Sequence, residues 1–135
     1  MALFPEEMMK NGSLNLDSIK AKLNYFELQI HELHWQTTSI AEHEALGDLY
    51  TLLFNVKDEI VEKIMGYTGT RTKAMPVEVI KNYSKGCCIP IVRELVSFAK
   101  NLENFGATNN MPDIENIAQS LSGDGAKILY RLTLS

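Results

Sequence analysis

Residues 16–64 read LDSIKAKLNYFELQIHELHWQTTSIAEHEALGDLYTLLFNVKDEIVEKI, and the apolar spacing in this stretch decides the fold. Leu16, Ile19, Leu23, Phe26, Ile30 and Leu33 recur every three or four positions, which lays one apolar stripe along a helix from about Asp17 to about Thr37. Asp17 or Asn15 is placed to cap its start. After Ser39-Ile40-Ala41-Glu42, where the Ser39 hydroxyl and the Glu42 carboxylate have capping-box spacing, Leu46, Leu49, Leu53, Val56, Ile60 and Ile64 continue the same period. Only Thr37 and Thr38 are left for a turn, so the two helices should form an antiparallel hairpin. Gly66 and Gly69 offer the second helix its stops.

Beyond the hairpin, the stretch from Thr68 to Gly86 carries Arg71, Lys73, Lys81 and Lys85 against Glu78. It reads as a connection in which Pro76 could start a short helix through Tyr83. Pro90 fits the first turn of a third helix with Ile91, Leu95, Phe98 and Leu102 on one face, before Gly106-Ala107-Thr108-Asn109-Asn110 breaks the pattern. A fourth begins at Pro112 and aligns Ile114, Ile117, Leu121, Ile128 and Leu132. Gly123 and Gly125 interrupt it at a cost of ~1 kcal/mol each relative to Ala, so either a neighbouring backbone approaches closely there or the helix bends. No strand-like alternation and no repeat is visible. The expectation is a single all-α domain over residues 1–135, a four-helix bundle.

At 135 residues and 45% hydrophobic, the chain can build one core, which at this length buries roughly two-thirds of the unfolded surface. Thirteen Lys and Arg against seventeen Asp and Glu leave a net charge of −4, with no basic arm, so nucleic acid is not an expected partner. No apolar run approaches the ~20 residues needed to cross a bilayer. Met1-Ala2-Leu3-Phe4-Pro5-Glu6-Glu7 has neither a basic n-region nor an apolar h-region, so a cytoplasmic protein is expected. Cys87 and Cys88 are adjacent, and a disulfide between neighbours is strained and closes no useful loop. They are expected to be reduced.

The polar residues that bind metals are unevenly placed. All three histidines, His31, His34 and His43, fall within 13 positions around the first turn. An isolated histidine beside an apolar stripe is ordinarily a hydrogen-bonded packing residue, but carboxylates change the reading. Asp58 and Glu62 are four apart and project from one face of the second helix. His43 and Asp58, fifteen residues apart on that helix, are separated by about 22 Å at 1.5 Å per residue. They cannot ligate one ion within one chain. A two-fold dimer would combine two imidazoles of one chain with two carboxylates of the other, twice over.

The run Ile30-His31-Glu32-Leu33-His34-Trp35, followed by His43-Glu44, Asp48-Leu49-Tyr50 and Asp58-Glu59-Ile60-Val61-Glu62, resembles the first two helices of the Dps-like mini-ferritins of the ferritin-like superfamily. The resemblance covers about residues 16–69. It implies a ferritin-like bundle whose ferroxidase site takes His34 and His43 from one chain and Asp58 and Glu62 from another. Iron, as Fe(II) and Fe(III), would be the metal, with Zn(II) as a possible substitute. The assembly would be a homo-oligomer, a dimer or a multiple of one. Imidazole plus carboxylate is a ligand set that suits Fe(II) and Zn(II), whereas all-oxygen sets suit Mg or Ca.

The chain also departs from the family pattern. His34 and His43 are nine positions apart, closer than the pattern has them, so the connecting loop is shorter. His31 restores the spacing but breaks the Leu-x-His-Trp register, which favours His34. Gly47 stands where the family has a further acidic residue, leaving Glu44 and Asp48 as substitutes. The chain is shorter than the usual member and lacks a Lys-rich tail, and so resembles a reduced branch found among viral and environmental sequences. By the same resemblance Trp35 takes up a radical equivalent, or else it packs the helix end; Tyr50 is expected in the core. Two rival readings stand beside the ferroxidase. One is an intrachain site from Glu27, His31 and His34, which lie within about 60° on the first helix. The other is a non-catalytic interaction bundle with a structural or vestigial metal site.

Overall fold

A computed structural model describes residues 14–135 of the chain. The reading of Met1 to Glu7 lies outside the described residues. Within them there are four helices and no strand: α1 (Leu16–Gln36), α2 (Ile40–Thr68), α3 (Cys88–Thr108) and α4 (Pro112–Leu132). The protein is an all-α four-helix bundle.

Local chemistry sets most of the ends. Asn15, not Asp17, caps α1: its Oδ1 accepts the Ser18 N–H at 2.9 Å, and the Ser18 hydroxyl accepts the Asn15 N–H at 3.0 Å. Gly69 ends α2 in the left-handed conformation, φ 71°, and donates its N–H to Met65. The expected capping box at the start of α2 is half formed. The Ser39 hydroxyl accepts the Glu42 N–H at 3.2 Å, but the Ser39 N–H donates to the Thr37 hydroxyl instead of to Glu42. The Glu42 carboxylate is drawn away by two stronger donors, the hydroxyls of Thr37 and Tyr83.

The connection from 69 to 87 holds no helix, so the helix expected from Pro76 to Tyr83 is absent. Side chains of α1 hold the strap instead, and at Lys81 and Tyr83 they take backbone groups that such a helix would use. Asp17 accepts the Lys73 N–H at 2.8 Å, and Gln36 accepts the Tyr83 N–H at 2.6 Å. Between them the buried Gln29 amide pairs with both the N–H and the C=O of Lys81, at 2.7 and 2.9 Å, as a neighbouring strand would. Because these anchors ascend α1 in the same order as the strap ascends in sequence, the strap runs the length of α1, back to the hairpin end. Buried Lys22 fastens it further through Glu78, while also reaching Glu94 of α3.

With the chain returned to that end, α3 runs parallel to α2, and each helix packs on two antiparallel neighbours: α1 on α2 and α3, and α4 on the same two. One long crossover between two hairpins is the connectivity of ferritin-like folds. The predicted stripes fill the centre: Ile19, Leu23, Phe26, Ile30 and Leu33 meet Leu46, Leu49, Leu53, Ile60 and Ile64, with Leu95, Phe98 and Leu102 opposite. Gly106 does not end α3, which continues to Thr108. A Cβ there would sit 2.6 Å from the Glu115 nitrogen, so the glycine lets α3 pass close to the first turn of α4. At Gly125 the close neighbour is a side chain, the Val96 methyl, and α4 runs on unbroken; Gly123 faces open space.

Candidate metal centre

The short turn brings His34, at the end of α1, against His43, in the first turn and a half of α2. The rings stack with centroids 3.9 Å apart and planes 15° from parallel. Each Nδ1 lies on the other residue's backbone carbonyl, His34 on His43 at 2.7 Å and His43 on His34 at 2.9 Å. A carbonyl oxygen only accepts, so each Nδ1 carries a proton, and it is Nε2 that bears the lone pair of the neutral ring. This is how metal-ligating histidines are usually held, with the second ring nitrogen donating to a carbonyl or carboxylate.

Gly47 makes the stack possible. A Cβ at this position would stand 2.8 Å from Cε1 and 3.1 Å from Nδ1 of His34. The two-residue turn lays the His34 ring over this point of α2, and a larger residue at 47 would require the ring to move.

His31 occupies a different environment. Its ring is sandwiched between Tyr50, 3.6 Å between centroids, and Trp35, 3.7 Å, and stands 6.0 Å from the His34 ring. Desolvation first, and then the neighbouring His34, lower its pKa and favour the neutral form. Tyr50, expected in the core, is half-buried, because one face of its ring is given to His31. Trp35 is 62% exposed and packs on His31. Glu27 is bound by Lys57 at 2.7 Å, so the carboxylate of the intrachain trio is already neutralised. Asp48 pairs with Arg131 of α4 at 2.7 Å, and Glu44 is exposed.

Asp58 and Glu62 lie about one and about two turns beyond the middle of α2, both exposed. They associate with each other. Donation of the Glu62 carboxyl proton to the Asp58 carboxylate, and then the charge on Asp58, raise the Glu62 pKa above the ordinary carboxylate value. Neither meets a histidine within the chain. Among the described residues no group of three or more His, Cys, Asp or Glu stands ready to hold an ion. The two halves are present but apart, as the helix arithmetic requires.

One polar cluster was not anticipated. Glu42, 9% exposed, accepts the Thr37 hydroxyl at 2.6 Å and the Tyr83 hydroxyl at 2.7 Å, and lies beside Cys88. Acceptance by Glu42 raises the Tyr83 pKa, and burial pushes the Cys88 thiol far up. Tyr83 reaches Glu42 only because the strap traverses the bundle, and no local pattern signals that.

Residues 34–132, well over half of the chain, match the family described as Family of unknown function (DUF5856). The chain belongs to this family. The matched span contains all four candidate ligands, from His34 to Glu62. No curated protein and no solved structure matches the chain. Among the described residues, no helix is long and apolar enough to cross a membrane.

Proposed function

We propose that this DUF5856 member is a Dps-like, iron-oxidising bundle. Fe(II) is its substrate, held between two chains by His34 and His43 of one protomer and Asp58 and Glu62 of its partner. The observation that carries this reading is the fixed imidazole pair, whose protons are committed to carbonyl oxygens and whose Nε2 lone pairs are left for a metal. The carboxylates supply the negative charge that the imidazoles lack, and their mutual repulsion within one chain is relieved by a cation. Few protein ligands leave positions for dioxygen or peroxide, which takes the electron from Fe(II). The role is removal of free Fe(II) and oxidant.

The exposed face of α2 supports a shared site. His43, Phe54 and Asp58 are exposed along it at helical spacing, with half-buried Gly47 in the same row, and Phe54 is 58% exposed. If two α2 helices cross antiparallel so that residue 43 faces 58, residue 47 faces 54. The crossing point then falls at 50 and 51, so one two-fold axis serves both sites. Apolar Phe54 would be covered there.

Complementation tests the proposal. A His34→Ala chain and an Asp58→Ala chain are defective in opposite halves of one interface. Each alone should oxidise Fe(II) at least about tenfold more slowly than the parent, while the co-refolded mixture regains roughly one working site per heterodimer. Aerobic Fe(II) oxidation followed by absorbance reads all three. Normal activity in Asp58→Ala would refute the shared site in favour of the trio at Glu27, His31 and His34. Retained Zn(II) with no oxidation in the parent would favour the non-catalytic bundle.

A further inference from the structure

The hairpin end of the bundle holds chemistry that iron oxidation does not use. Cys87 closes the strap and Cys88 opens α3, and their Sγ atoms stand 4.0 Å apart. Both are free thiols, Cys87 half-buried and Cys88 buried. Neighbouring side chains on an extended chain point to opposite faces. Here Cys87 is already in the helical region, φ −76° and ψ −23°, so the two side chains diverge by about 100°, not 180°, and the sulfurs come together.

We propose that Cys87 and Cys88 form a two-sulfur chelate for a soft divalent ion of the zinc and cadmium type, separate from the iron site. Two sulfurs on a tetrahedral ion with bonds of ~2.3 Å stand about 3.8 Å apart, and a larger ion of the same kind opens that separation further. The 4.0 Å found here is therefore close to a chelating bite. A disulfide would instead need ~2.05 Å and a tight ring through the intervening peptide. Binding is an exchange without electron transfer: M(II) and two thiols give a neutral dithiolate complex, and two protons pass to solvent. Neutrality matters because a lone buried thiolate is costly, whereas two thiolates around a dication carry no net charge. Thiolate ligands select such ions over Mg or Ca.

The chelate is the two sulfurs alone, with Glu42 as their neighbour. The Glu42 Oε1 accepts the hydroxyls of Thr37 and Tyr83 and holds the strap end closed over Cys88, which fixes the carboxylate at the border of the site. The remaining coordination positions go to water, admitted past half-exposed Cys87.

Cadmium is the probe, because its thiolate complexes give an ultraviolet charge-transfer band that imidazole and carboxylate sites lack. The full chain, kept reduced with a phosphine, is titrated with Cd(II). The parent should develop the band, and Zn(II) should compete it away. Cys87→Ser, at the half-exposed position, should lose the band and bind at least tenfold more weakly, with unchanged helical circular dichroism and unchanged Fe(II) oxidation. His34→Ala should keep the band. Absence of the band from the parent, its persistence in Cys87→Ser, or its loss in His34→Ala would each overturn the proposal.

Discussion

The two ends of α2 hold the two halves of the proposed iron site in different ways. At the first end the imidazoles of His34 and His43 are locked by ring stacking, by two ring-to-carbonyl hydrogen bonds and by the space over Gly47. At the second, Asp58 and Glu62 stand exposed and interact with each other. One half is preorganised by its own chain, and the other awaits a partner or a cation. Metal sites depend on the outer groups that orient their ligands, so damage to the locked half should act through geometry and damage to the open half through charge.

The largest effect should come from adding one methyl group at Gly47. In Gly47→Ala the new Cβ collides with the His34 ring, which must swing away from His43. Because a side chain yields more easily than backbone, the fold should survive with a loss of about 1 kcal/mol or less. Fe(II) oxidation should fall by about 10- to 100-fold, the range typical for removing a ligand's orienting contact. Thermal unfolding beside stopped-flow oxidation distinguishes this from general destabilisation. Parent-like oxidation in Gly47→Ala would mean that the stacked pair is not the working geometry.

How much of this was legible follows from which forces are local. The helix stripes were read correctly, because burial of Ile19, Leu23, Phe26 and Leu33 depends on spacing within one helix. The start of α4 at Pro112 and the stop at Gly69 were equally local. The strap was not legible. Pro76 to Tyr83 has a plausible helical start, but its backbone is claimed at Lys81 and Tyr83 by Gln29 and Gln36, some fifty residues earlier in the chain. The same separation hid the Glu42–Tyr83 contact. At the candidate site, the meeting of His34 with His43 across the turn and the separation of both from Asp58 and Glu62 were legible from spacing. The reason for Gly47 was not, since it depends on how a turn of a given length lays one ring across another helix.

A second difference between the ends is buttressing. Behind the histidine turn lies the buried Glu42 with its two hydroxyl donors, whereas Asp58 stands exposed on α2. Tyr83→Phe removes one donor from that carboxylate. A hydrogen bond to a charged group contributes ~1.5–3 kcal/mol, and the half-exposed tyrosine argues for the lower end, about 1–2 kcal/mol. The melting temperature should drop by several degrees, while Fe(II) oxidation below the transition stays within about twofold of the parent. An unchanged melting temperature would show that water replaces the hydroxyl and that the turn stands without the strap.

The smallest effect, and the one that bears most directly on the open half, is the pH dependence carried by Glu62. Its pKa is raised in the folded chain by Asp58, so the native state holds more protons than the unfolded one as pH rises from the ordinary value near 4.5 through the shifted one. Stability contributed by the shared proton is present at low pH and is lost as pH rises through that window. Glu62→Gln removes the like-charge contact. At neutral pH the variant should be as stable as the parent or slightly more so, and the difference should vanish below the ordinary carboxylate range. Because Glu62 is fully exposed, solvent screening keeps the difference small. Adding Zn(II), which binds without being oxidised, should reverse the order: a cation shared with the partner's histidines favours the doubly ionised pair, so the parent gains thermal stability and Glu62→Gln gains less. If Zn(II) raised both melting temperatures equally, the carboxylates at this end of α2 would lie outside the metal site. The histidine half would then have to find its negative charge elsewhere.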